Sequence, residues 1–154
     1  MGLDKLRNLY QAVILDHANH PRNKHELPGA TTTMTVHNPT CGDTINVQVQ
    51  VHQNRIDEIA FTGSGCSISQ ASASMMTEAV KGKSTADAQR MAQTFSDMAI
   101  GKEHDNTDLQ QLGDAQVLIN IMQFPARIKC ATISWWALER ALAKEDQSGE
   151  QRSK

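Results

Sequence analysis

Apolar residues recur at helical spacing from Leu3 to about Asn19, with Leu6, Leu9, Tyr10, Val13, Ile14 and His17 on one stripe. That pattern predicts an amphipathic first helix ending before Pro21. Leu27-Pro28-Gly29-Ala30 reads as a turn into a sheet. Thr31 to Val36 is threonine-rich, Thr44 to Val51 alternates through Ile45, Val47, Val49 and Val51, and Arg55 to Phe61 alternates through Ile56, Ile59 and Phe61. These are three strands, and their short connections (Asn38 to Asp43, and His52-Gln53-Asn54) predict an antiparallel meander. A Gly63-Ser64-Gly65 bend then leads into a helix from Ser67 to about Lys81. A second helix is expected over Thr85 to Met98, capped by Ser84 or Thr85, with Ala88, Met91, Ala92, Phe95 and Met98 as its stripe. Ile100 to Asp108 reads as a polar loop, Leu109 to Leu112 as a helical turn, and Ala115 to Met122 as a buried stretch broken by Pro125. Cys130 is expected to open a last helix through Ile133, Trp136, Ala137, Arg140 and Leu142, followed by a polar tail. The fold class is α+β: a three-stranded antiparallel sheet packed with an N-terminal helix and several C-terminal helices. One domain is expected over residues 1–143, with 144–154 as a disordered polar tail.

Composition narrows the function. A chain of 154 residues with 39% hydrophobic and 21% charged residues is an ordinary globular composition, long enough to bury a real core. A formal charge of −2 gives no electrostatic case for nucleic acid or an anionic membrane. The longest apolar runs fall far short of the roughly 20 residues that span a bilayer. The start, Met1-Gly2-Leu3-Asp4-Lys5-Leu6, lacks the apolar core of a signal peptide, so a cytoplasmic location is expected.

Three cysteines form no disulfide framework, which leaves buried filler, metal ligands or reactive thiols. The stretch Gly63-Ser64-Gly65-Cys66-Ser67 places Cys66 at a helix N-terminus, where amide donors and the helix dipole favour the thiolate. The turns before Thr44 and after Phe61 can share one edge of the sheet, so Cys41, Asp43 and Cys66 can converge. With Cys130 they make three thiolates and a carboxylate, a tetrahedral set for zinc or a three-thiolate anchor for an iron-sulfur cluster. Spacing alone matches no zinc finger and leaves the three readings open. His17 and His20 read as polar residues ending the first helix. No histidine adjoins a cysteine in sequence, which argues against a Cys/His hydrolase.

Asn38-Pro39-Thr40-Cys41-Gly42-Asp43, then Gly63-Ser64-Gly65-Cys66-Ser67-Ile68-Ser69 with Ala71-Ser72-Ala73-Ser74, then Pro125-Ala126-Arg127-Ile128-Lys129-Cys130-Ala131-Thr132 resemble the IscU/NifU-N family of iron-sulfur cluster assembly proteins. The leading Leu9-Tyr10, Ile14, Asp16-His17 and Pro21-Arg22-Asn23 belong to the same pattern, and the likeness is strongest to the SUF-type branch. Two features depart from the ISC-type branch. Lys129 stands where that branch has a histidine ligand, and residues 124–129 lack the Leu-Pro-Pro-Val-Lys tract read by its chaperone. The stretch from Lys81 to Asp114 is also longer than in that branch. The resemblance implies a SufE/NifU-like fold and a zinc ion held by Cys41, Asp43, Cys66 and Cys130. It also implies a pyridoxal-phosphate cysteine desulfurase as partner, with further iron-sulfur assembly proteins downstream.

The chemistry expected is sulfur transfer, in which a thiolate attacks the outer sulfur of the desulfurase persulfide. Cys41 is the expected acceptor, because it sits in a turn beside Gly42 while Cys66 and Cys130 are read as fixed at helix starts; the resemblance points to the same residue. Asp43 would be the more exchangeable ligand. Arg127 could hold Asp43 or a migrating sulfur anion, and Lys129 could place a charge near the thiolates. The Pro21-Arg22-Asn23 turn that the family shares suggests that His17 and His20 contact the desulfurase. On this reading the chain is a sulfurtransferase-like partner of the desulfurase, not a stand-alone enzyme. Two alternatives stay open: a scaffold carrying a transient cluster on Cys41, Cys66 and Cys130, and a zinc-stabilised binding module.

Overall fold

A computed structural model describes residues 3–38, 42–102, 105–123 and 125–152. Helix α1 spans Leu3–Asn19, and strands β1 (Thr32–Asn38), β2 (Asp43–His52) and β3 (Arg55–Ser64) form an antiparallel meander in the order β1-β2-β3. The β2–β3 loop is Gln53-Asn54, with φ of 53° and 61°. Two successive left-handed residues make the type I′ turn whose twist matches that of the flanking strands. Ile45, Val47 and Val49 of β2 are buried as their alternation predicts. Ile56 and Ile59 of β3 are three apart yet both buried, because a bulge between Gln50 and Val51 sets Glu58 opposite Gln50 and Ile56 opposite Val51.

Helices α2 (Ser67–Val80), α3 (Thr85–Ala99), α4 (Asn106–Gln110) and α5 (Pro125–Arg152) follow, with a 3-10 segment over Gly113–Gln123. The small residues of α2 let it lie between α1 and α5, and Ala71, Ser72, Ala73 and Ser74 are all fully buried. Ser84 caps α3 by accepting the Asp87 amide at 3.1 Å. Phe95 of α3 stacks on Trp135 of α5, with ring centroids 4.7 Å apart and planes 11° off parallel. Among the described residues, no helix is long and apolar enough to cross a membrane.

Several expectations need correcting. Pro125 is the first residue of α5, where a missing N–H costs nothing, so it starts the helix and Cys130 is its sixth residue. The buried tryptophan is Trp135, fully covered, whereas Trp136 is 39% exposed. A short helix, α4, begins inside the stretch read as loop and runs into the one read as a helical turn. The helix also runs on through the segment read as a tail, and Glu145 accepts hydrogen bonds from Thr31 and Thr32 at the start of the sheet.

His17 is 2% exposed and faces inward. The Arg22 amide donates to Ser74 Oγ at 2.8 Å, the serine proton goes to His17 Nδ1 at 2.8 Å, and Nε2–H donates to Asp114 at 2.9 Å. This is the tautomer that satisfies all three groups. Asn23 donates to Thr77 Oγ1 at 2.9 Å and Arg22 to Asp16 at 2.6 Å, so the Pro21-Arg22-Asn23 turn is pinned to α1 and α2. The inward face of His17 overturns its reading as a surface contact, while His20 is exposed. His17→Ala removes the acceptor of the buried Ser74 hydroxyl proton. It should cost about 1–3 kcal/mol in urea unfolding, with metal content unchanged.

Candidate metal centre

The sheet register builds the centre. Asp43 begins β2 opposite Asn38, and Thr44 pairs with Ser64 at the end of β3, so residues 63–66 return the chain to Asp43. Gly63 allows this return, since a Cβ there would lie 2.0 Å from the Thr44 carbonyl oxygen. Cys66 is the N-cap of α2, with φ −71° and ψ 168°. Its amide donates to Asp43 Oδ1 at 2.9 Å. Cys130 approaches from α5, where its neighbour Ala131 accepts a 2.5 Å hydrogen bond from Ser72 of α2, fixing the two helices together beside the thiol.

The ligand atoms of Asp43, Cys66 and Cys130 all lie within 4.8 Å of one another. Asp43 and Cys130 are fully buried and Cys66 is half-buried. Asp43 Oδ2 is buried and, among the described residues, has no hydrogen-bond partner. An ionised oxygen left unpaired in the interior is costly, and a cation between it and two thiolates removes that cost. Two sulfurs and a carboxylate oxygen suit zinc. The donor set therefore fits the expected metal.

Of the residues expected at the site, Asp43, Cys66 and Cys130 are brought together, and Cys41 lies outside the described residues. Arg127 and Lys129 are exposed on α5. Arg127 is not among the partners of Asp43, whose Oδ1 is held instead by the Cys66 amide and by Ser69 Oγ at 3.3 Å. Asp43, expected to be exchangeable, is fully buried. Ser69 stands in the motif that carries the resemblance, but without a role at the site. Its position three residues after an N-cap, where a hydroxyl can reach back over the first turn, was the available signal. One residue further, Gln70 is 8% exposed and neither atom of its amide has a partner among the described residues.

Comparison with known proteins places this geometry among relatives. Residues 9–131 match the family model for the NifU-like N terminal domain. The chain is 49% identical over 141 residues to the zinc-dependent sulfurtransferase SufU of Bacillus subtilis, covering 92% of this chain and 94% of that protein. It is 44% identical over 144 residues to the iron-sulfur cluster assembly scaffold protein IscU of Streptococcus pyogenes, covering 94% and 89%. Its structure is similar to that of an iron-sulfur cluster assembly scaffold protein for the SUF system from Fervidobacterium islandicum. The TM-score is 0.78 at 29% identity, over 84% of this chain and 93% of that one.

Proposed function

The chain belongs to the NifU-like N-terminal domain family, and from that premise we propose that it serves iron-sulfur cluster assembly by accepting sulfur from a cysteine desulfurase. The observation that carries this reading is the convergence of Asp43, Cys66 and Cys130 around a buried carboxylate oxygen with no protein partner. Cys41, Asp43, Cys66 and Cys130 would hold zinc, which when bound keeps the thiols ionised at neutral pH and adds binding energy to folding.

The chain's own residues divide the work. Asp43 and Cys130, both buried, with Cys66 at its N-cap, form the fixed part of the set. Cys41 is the accepting thiolate. It attacks the outer sulfur of the donor persulfide, the donor's S–S bond breaks, and the donor cysteine departs as a thiolate. Cys41 keeps the transferred sulfur as a persulfide, with no net change of oxidation state. Arg127, exposed three residues before Cys130, supplies a positive charge for the arriving sulfur anion. The partner is a pyridoxal-phosphate enzyme that leaves a persulfide on its own cysteine.

The scaffold reading keeps one observation in its favour: Cys66 and Cys130 already lie within one coordination sphere and, with Cys41, would complete a three-thiolate anchor. Metal analysis before and after mixing with desulfurase and cysteine separates the two. Sulfur transfer expects zinc retained and sulfur added to the chain. Replacement of zinc by iron and sulfide in oxygen-free reconstitution, with no sulfur on any thiol beforehand, overturns it in favour of the scaffold.

A further inference from the structure

We infer that Ser69, together with the Cys66 amide, is the positioning device that limits Asp43 to one metal-binding oxygen and keeps it bound while a thiolate leaves. The inference rests on the metal centre proposed above and extends it to a residue outside the ligand set.

The asymmetry of the carboxylate is the starting point. Oδ1 receives the Cys66 N–H at 2.9 Å and the Ser69 hydroxyl at 3.3 Å, while Oδ2 receives nothing among the described residues. Binding through both oxygens would require Oδ1 to give up its donors. The anchored oxygen thus leaves Oδ2 alone to face the thiols.

Ser69 has one proton and two acceptors in reach, the other being the Cys66 carbonyl at 2.9 Å. That carbonyl already accepts the Gln70 amide at 3.1 Å as the first bond of the helix. The hydroxyl is therefore shared between the nearer carbonyl and the carboxylate, and a carboxylate is the stronger acceptor of the two when ionised.

Gly65 completes the device. A Cβ there would lie 2.2 Å from Asp43 Oδ1 and 2.6 Å from Ser69 Oγ, so only glycine lets the backbone pass close enough for both donors to reach the carboxylate. The clamp joins the first residue of β2 to the first turn of α2. Its acceptor is fully buried and cannot swing out without breaking that junction. The ligand that yields its place must then be a thiolate.

Groups that orient metal ligands typically change affinity by 10–100-fold when removed. The test compares zinc affinity, by competition with a chromophoric chelator, and the visible spectrum of the cobalt-substituted protein, for wild type, Ser69→Ala and Ser69→Thr. Ser69→Ala is expected to bind zinc about 10–100-fold more weakly. Its cobalt ligand-field bands should shift while the sulfur-to-cobalt charge-transfer bands persist, because the thiolates are untouched. Ser69→Thr, which keeps the hydroxyl, should restore both. If Ser69→Ala does not fold, Ser69→Val, the isostere of the threonine variant without the hydroxyl and without a metal-binding atom, carries the same comparison. Zinc affinity within twofold of wild type together with an unchanged cobalt spectrum overturns the clamp. So does a lower melting temperature of the metal-free variant with no spectral change, the mark of a merely structural serine. A wild-type protein that takes up neither metal overturns the underlying metal reading and the clamp with it.

Discussion

Cys41→Ser protein, mixed with desulfurase and cysteine, acquires no added sulfur and no longer speeds desulfurase turnover. It stays folded and retains part of its zinc through Asp43, Cys66 and Cys130. The complete loss of sulfur acceptance follows from nucleophilicity: a serine hydroxyl is not ionised at neutral pH and cannot replace a thiolate in exchange with a persulfide. Cys66→Ser and Cys130→Ser fail differently. Cys66 is the N-cap residue whose amide anchors Asp43, and Cys130 is buried in the second turn of α5. Either change removes a ligand from a rigid element, so metal, stability and activity fall together. Alkylation and peptide mapping by mass spectrometry after the reaction provide the check. One extra sulfur on the wild-type peptide holding Cys41, absent without the desulfurase, is expected. A persulfide appearing first on Cys66 or Cys130, or full stimulation by Cys41→Ser, refutes the assignment.

Removal of zinc lowers the melting temperature. Two thiols and a carboxylate lie within 4.8 Å of one another, and without a cation the buried Asp43 Oδ2 has no partner among the described residues. Structural zinc contributes on the order of 10 kcal/mol apparent in small peptides, where the metal is nearly the whole fold. Here the sheet and helices supply a core of their own, so the metal's share is smaller. A share of ~3 kcal/mol, at about 2–4 °C per kcal/mol for a domain of this size, lowers the melt by roughly 6–12 °C. Calorimetry of the protein before and after chelation, with metal content verified, measures it. An unchanged melt in fully metal-free protein rules out a structural contribution.

The periodic elements were legible because one period dominated each. Alternation through Ile45, Val47 and Val49 can only be a half-buried strand, and the stripe of α3 can only be a helix. The convergence of Asp43 with Cys66 followed from counting strand directions. What was not legible depended on partners far along the chain. His17 stood on the apolar stripe of α1, which was the clue, but its burial needs Ser74 and Asp114, 57 and 97 residues away. Pro125 reads as a breaker in sequence because proline ends many helices; only the chain on either side shows that it begins one. Glu145 looked like part of a solvated tail because its threonine partners lie 114 and 113 residues earlier. Charge alone pairs Arg127 with Asp43 in the sequence, whereas the carboxylate is served locally by an amide and a hydroxyl.

The two adjacent tryptophans of α5 give the molecule its own optical probes. Trp135 and Trp136 are the only tryptophans in the chain, one fully enclosed against Phe95 and the other 39% exposed. They follow Cys130 on the same helix by five and six residues. Acrylamide should quench the red-shifted emission of Trp136 and spare the blue emission of Trp135, so one fluorescence spectrum carries two separable signals. A Trp136→Phe protein would isolate the interior emitter. Its intensity would then follow any rearrangement of α5 that accompanies loading or stripping of the centre, in real time and without an added dye.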